Sequence, residues 1–148
     1  MATPTLAPAD TLRLSNQLCF PVYAAANAVQ KAYRQVLAPL GLTYPQYLVM
    51  LVLWERDGLS LGEIGQRLRL DSGTLTPLLK RMEAAGLVRR ERSEADERVV
   101  RIRLTKVGDE LRGPAEAVPK AMAGAFGLNL EEAVSLKAGL EKLIAALS

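Results

Sequence analysis

The 148-residue sequence predicts a mainly α fold that carries one small β-hairpin, and three observations predict it. Apolar residues recur at steps of three and four through most of the chain, the period of helices packed on one side. Prolines, glycines and capping residues divide that pattern into separate helices. One stretch, residues 87–104, changes to an alternating pattern around a charged middle. No repeat, low-complexity tract or long linker interrupts the chain, so a single domain over residues 1–148 is expected.

Taken in order, Leu14, Leu18, Val22, Ala26, Val29, Tyr33, Val36 and Leu40 form one helical stripe, ended by Pro39 and Gly41. A second helix starts at Thr43, tolerates Pro45 in its first turn, and runs to about Arg56. Tyr47, Leu48, Leu51 and Trp54 form its buried face, and Asp57-Gly58 ends it. Ser60 and Glu63 have the spacing of a capping box and open a short third helix to Leu68. Asp71 and Ser72 offer caps for a fourth helix ending at Gly86. A start near Thr74 would place Pro77 in its first turn, where the missing N–H costs little. Residues 87–92 and 98–104 then read as a hairpin, with Val100, Ile102 and Leu104 facing inward and Arg101 and Arg103 facing water. Thr105 caps a fifth helix, interrupted by Pro114 and Pro119. Asn129 caps a sixth, with Glu131 and Glu132 well placed on its dipole and an apolar face of Leu136, Leu140, Leu143, Ile144 and Leu147.

Composition narrows function. There is no histidine and one cysteine, Cys19. A histidine-based catalytic triad, a His or Cys zinc site and an internal disulfide are excluded. No enzyme activity, metal or cofactor is expected. Residues 1–10 lack the basic and apolar regions of a signal peptide and read as a frayed tail. The longest apolar run, Tyr47–Trp54, is too short for a membrane span, so a cytoplasmic chain is expected. The net charge is only +3, but nine basic and five acidic residues lie between Lys80 and Lys106, and the remainder is close to neutral. That local excess is what a phosphate-contacting surface requires.

Two helices joined by a short turn and followed at once by a basic hairpin form a winged helix-turn-helix pattern. The second helix of the pair presents Ser72, Thr74 and Thr76 for base edges and phosphates, with Lys80 and Arg81 towards its far end. In the hairpin, Arg90, Asp96 and Arg98 are the candidate DNA contacts, Arg98 at the tip being suited to a minor groove.

Leu70–Glu83 (LDSGTLTPLLKRME), Gly86-Leu-Val88 and Asp96-Glu-Arg98 resemble the MarR family of dimeric regulators. Asn16–Phe20 (NQLCF) and Leu42–Leu48 (LTYPQYL) resemble its OhrR branch, the organic-hydroperoxide-sensing repressors. The resemblance covers most of the chain. It implies dimerisation helices at about 12–40 and 106–148 around a winged helix-turn-helix at about 43–105. It implies a homodimer on a pseudo-palindromic duplex operator, released when Cys19 is oxidised, in a one-cysteine cycle involving organic hydroperoxides and a small thiol. It names Tyr23 and Tyr33 as partners of Cys19.

Local features bear on that reading. Pro21 favours a helix start near Cys19, placing the sulfur at the positive end of a helix dipole. Tyr23 is one turn away, whereas Tyr33 is fourteen residues on, about 21 Å along a helix, so a second subunit would have to deliver it. Phe20, Val22 and the Tyr44–Tyr47 region are expected to make an apolar pocket for organic peroxides. A buried cysteine is more often an inert packing residue, and three other readings remain open. One is a MarR-type regulator of an aromatic ligand with Cys19 structural; the others are a thiol peroxidase and a protein-interaction module.

Overall fold

The computed structural model describes residues 10–148. All but Asp10 of the expected tail lies outside the described residues. The elements are α1 (Cys19–Leu37), α2 (Tyr44–Glu55), β1 (Leu59–Ser60), α3 (Leu61–Leu68) and α4 (Ser72–Ala84), then β2 (Val88–Arg92) and β3 (Val100–Leu104). Four helices follow: α5 (Lys106–Glu110), α6 (Arg112–Ala115), α7 (Ala117–Ala125) and α8 (Leu130–Leu147).

The core is built around α2, which is apolar on all sides and buries Tyr47, Val49, Met50, Val52 and Leu53. Against it pack Leu37 of α1, Ile64 of α3, Leu75, Leu79 and Met82 of α4, and Ile102 of the hairpin. The expected strand alternation holds: Ile102 is fully buried while Arg101 and Arg103 lie on the opposite face. The sheet has a third strand that the sequence pattern does not announce. β1 pairs antiparallel with β3, Leu59 opposite Ile102, in the order β1-β3-β2.

Caps set most boundaries. Thr43 with Gln46, Ser60 with Glu63 and Asn129 with Glu132 form reciprocal capping boxes. Two boundaries depart from expectation, both beside prolines, and the interruptions expected from Pro114 and Pro119 are present. The first stripe is not one helix from Leu14: a 3-10 turn at Leu14–Asn16 precedes α1, and another, Ala38–Leu40, follows it. Pro21 has no N–H for the Gln17 carbonyl, so the helix begins at Cys19, with Pro21 in its first turn. In α4, Asp71 accepts from the Thr74 N–H at 2.8 Å, which starts the helix at Ser72. Pro77 therefore lies inside α4 rather than in its first turn, and the Gly73 carbonyl loses its usual donor. The expected fifth helix is three segments, broken at Leu111 and Glu116, three residues ahead of Pro114 and Pro119.

Two glycines allow close backbone approaches. A Cβ on Gly65 would sit 2.7 Å from the Leu70 carbonyl oxygen, so glycine permits the tight α3–α4 turn. Arg69 closes that turn in the left-handed region, φ 54°, and its guanidinium donates to Ser148 Oγ beyond the end of α8 at 3.3 Å. A Cβ on Gly108 would lie 2.1 Å from the Leu87 carbonyl oxygen. Here four elements meet. Thr105 Oγ1 donates to the Gly86 carbonyl at 2.6 Å, the Gly108 N–H donates to Thr105 Oγ1, and Trp54 Nε1 donates to the Gly108 carbonyl at 3.0 Å. The end of α4, the hairpin root, α5 and α2 are thus joined at one point.

Gly108→Ala is expected to destabilise by at least about 3 kcal/mol in denaturant melts, because backbone rather than a flexible side chain must give way. Gly62→Ala, with only an ordinary contact to Ser60 Oγ at 3.9 Å, should be neutral or stabilise by up to about 1 kcal/mol.

Candidate nucleic-acid interface and cysteine site

The turn between α3 and α4 presents α4 with Leu75, Leu78, Leu79 and Met82 turned into the core. The rest of the helix is therefore outward. Ser72, Thr74, Lys80 and Arg81 are exposed and Thr76 is half-buried beside them. The positive end of the helix dipole points out with the first three side chains, where anions are favoured.

The hairpin stands next to α4. At its tip Asp96 Oδ1 accepts from the Arg98 N–H at 3.0 Å and from Arg98 Nε at 3.2 Å. Arg98 is otherwise directed into solvent, its side chain 92% exposed. Arg90 differs. Its guanidinium turns back onto Glu83 near the end of α4. On the other face of the hairpin, Glu91 accepts from Arg89 at 2.7 Å and Arg103 at 2.9 Å, and Arg101 reaches the Gly58 carbonyl at 3.0 Å. Most of the basic excess seen in the sequence is thus paired inside the hairpin. Lys80 and Arg81 enter no ion pair among the described residues.

Cys19 is the first residue of α1 and is exposed. Tyr23, one turn on, is 68% exposed. Tyr33 is half-buried, its ring 4.4 Å from that of Tyr44 and 5.8 Å from that of Tyr47. Burial first, then the neighbouring tyrosines, raises the Tyr33 hydroxyl above its ordinary pKa. One chain therefore brings Cys19 and Tyr23 together but leaves Tyr33 at the other end of α1, about 21 Å away by helical rise. Phe20 and Val22 are likewise separated from Tyr44 and Tyr47, so the expected peroxide pocket is not assembled within one chain.

Around Cys19 lies apolar surface without cover: Leu18, Phe20 and Tyr23 are exposed. Separately, α8 has no buried residue although Leu130, Val134, Leu136, Leu140, Ile144 and Leu147 all lie on it. The sequence reading did not single out Glu83, Trp54's indole N–H or Gly108. Glu83 lies seven residues from Arg90, and only the strand register shows that they face each other.

These elements define a winged helix-turn-helix DNA-binding chain. Residues 31–112 match the family described as transcriptional regulator SarA/Rot. The chain is 58% identical over 123 residues to the HTH-type transcriptional regulator TtmR of Methylorubrum extorquens; the match spans 83% of this chain and 63% of that relative. It is 46% identical over 138 residues to the organic hydroperoxide resistance transcriptional regulator of Bacillus subtilis, covering 93% of this chain and 94% of that one. It is also similar to AbfR of Staphylococcus epidermidis. Reduced AbfR bound to DNA superposes with a TM-score of 0.77 at 39% identity, over 95% of this chain and 97% of that one. Disulfide-formed AbfR gives a TM-score of 0.64 at 40% identity, over 92% and 96%. The chain belongs to the SarA/Rot and MarR-type family of winged-helix transcriptional regulators.

Three carboxyls of this region are held below their ordinary value of 4.5. Hydrogen bonds from Ser60 lower Glu63, and those from Arg90 lower Glu83. Desolvation opposes the shift at Glu91, but the bonds from Arg103 and Arg89 outweigh it. A depressed folded-state pKa stabilises fully above the unfolded value and loses that contribution as pH falls through the folded one. The thermal midpoint should therefore fall below about pH 4.5. Replacing Glu83 and Glu91 with glutamine should flatten that acid limb.

Proposed function

We propose that this chain is a homodimeric repressor that binds a pseudo-palindromic operator and releases it when an organic hydroperoxide oxidises Cys19. The observation that carries this reading is the placement of the single cysteine. It is exposed at the start of α1, beside Tyr23, within an apolar surface that a second copy would cover. The resemblance to a regulator named for organic hydroperoxide resistance supports it.

In this reading the uncovered faces of α1 and α8 form the dimer seam. Each exposed or half-exposed aliphatic side chain buried there contributes on the order of 1 kcal/mol. Six per chain on α8, doubled in a pair, offset much of an association cost of about 4–15 kcal/mol. An antiparallel α1 from the partner would carry a second Tyr33 to Cys19 and bring Tyr44 and Tyr47 near Phe20.

The Cys19 thiolate attacks one peroxide oxygen. The O–O bond breaks, the alkoxide leaves and takes a proton as alcohol, and the sulfur is oxidised by two electrons to a sulfenic acid. With no second cysteine in the chain, a small cytoplasmic thiol condenses with it, forming a disulfide and releasing water. The added group repacks the seam. The change reaches the DNA-binding part through packed rings: Tyr33 on Tyr47, Tyr47 on Trp54 at 6.4 Å, and Trp54 on the Gly108 carbonyl at the hairpin root. On DNA, Ser72, Thr74 and Thr76 enter the major groove, Lys80 and Arg81 meet phosphates, and Arg98, held by Asp96, enters the minor groove.

A second reading has one observation in its favour. Tyr47, Leu51, Trp54 and Pro119 give a cleft of about 270 Å³ an aromatic and apolar lining, with Arg112 accompanied there by Glu55 and Glu116, which suits an aromatic ligand. A thermal shift with small aromatic ligands, and none of the redox behaviour below, would select it.

The test is a mobility shift on the DNA upstream of the chain's own gene, with and without cumene hydroperoxide. The parent should lose at least about tenfold in affinity, and Cys19→Ser should keep its operator. Release of Cys19→Ser to the same degree would overturn the redox reading. Separately, Lys80→Ala should weaken operator and random duplex alike and reduce the salt slope by about one.

A further inference from the structure

We infer that Glu83 and Arg90 are a positioning and charge-masking pair: Arg90 is turned away from DNA to neutralise a carboxylate on the recognition helix and fix the wing against it. This rests on the DNA-binding reading and gives Arg90 a role other than the phosphate contact that its charge suggests.

Three observations carry it. The first is register. Arg90 is opposite Ile102, which is fully buried, so its side chain leaves β2 on the inner face of the hairpin, towards α4. The outer-face arginines, Arg89 and Arg103, have no such direction open to them. The second is bonding. Glu83 takes the Arg90 backbone N–H at 3.0 Å, Nε at 3.2 Å and Nη2 at 3.2 Å, using both carboxylate oxygens. A two-pronged bond with a backbone anchor fixes angle as well as distance. The Arg90 side chain is 35% exposed, against 92% for Arg98 at the tip.

The third is position on α4. Ser72, Thr76 and Glu83 fall at intervals of four and seven in the row that also holds the buried Leu79, so Glu83, like the half-buried Thr76, lies at the edge of the face proposed to enter the major groove. A bare carboxylate there would face phosphates about 10 Å of helix from Thr76. Arg90 cancels that charge. The same bond sets the separation of α4 and wing, and so the reach from major-groove to minor-groove contact.

The pair makes opposite predictions from a direct DNA contact. Arg90→Gln should weaken operator binding at least about tenfold, because it uncovers Glu83. The double variant Glu83→Gln/Arg90→Gln removes both charges, keeps a side-chain oxygen at position 83 to accept the position-90 backbone N–H that sets the spacing, and should return to within about threefold of the parent. Fluorescence anisotropy at fixed salt reads both, and thermal melts confirm folding. If the double variant is as weak as Arg90→Gln, Arg90 touches DNA itself and the inference fails. It fails equally if Arg90→Gln binds like the parent. Should Arg90→Gln not fold, the double variant alone decides: near-parental affinity supports the pair, and a tenfold loss overturns it. A failure here with normal operator binding by the parent leaves the DNA-binding reading standing.

Discussion

The contact on which the rest of the structure depends is the approach of Gly108 to the Leu87 carbonyl. No side chain fits between them, and the backbones of α5 and the hairpin root are pressed together. Thr105 stitches the same point to the end of α4, and the Trp54 indole ties it to α2. The hairpin is held from the other side as well, where Asp57 Oδ1 accepts the Leu104 N–H at 2.9 Å. Recognition helix, wing and the arm leading to α8 therefore share one rigid junction. A displacement of the arm has little slack in which to be absorbed.

The same economy of contact appears in the charges. A net charge of +3 is weak for a DNA-binding chain, and most of the hairpin's cations are engaged by Glu83, Glu91 and Glu63. What remains unpaired on the outward side is concentrated at Lys80 and Arg81, with Arg98 held outward by Asp96. Such a surface relies on a few well-placed cations more than on a broad field, and placement is what the internal ion pairs supply. Each pair contributes little to stability at this exposure; their effect is on geometry.

Much of the architecture was legible in the sequence because its signals are local. Ser60 with Glu63 and Asn129 act as caps in the structure, and the alternation of Val100, Ile102 and Leu104 marks a strand with one buried face. Pro21 did locate the start of α1. What escaped depends on partners distant in sequence. β1 is two residues long and exists only by pairing with β3. A start near Thr74 would spare α4 the cost of Pro77, yet the Asp71 cap starts the helix at Ser72 and leaves the proline inside it. Glu83 and Arg90 meet only once register is known. The proposed cysteine site is legible only in part for a deeper reason: Cys19 and Tyr33 stand towards opposite ends of one helix, so in the proposed dimer a second chain has to complete it.

In the proposed mechanism a change at Cys19 reaches the DNA-binding elements through the Tyr33–Tyr47–Trp54 rings and the Gly108 junction. Trp54 is the only tryptophan, so 5-fluorotryptophan gives a single fluorine resonance at that junction. Titrating operator-bound protein with organic hydroperoxide, with operator occupancy followed in the same sample, tests the claim directly. A new resonance should grow in step with operator release and be absent in Cys19→Ser. Operator release with the Trp54 resonance unchanged would contradict the mechanism.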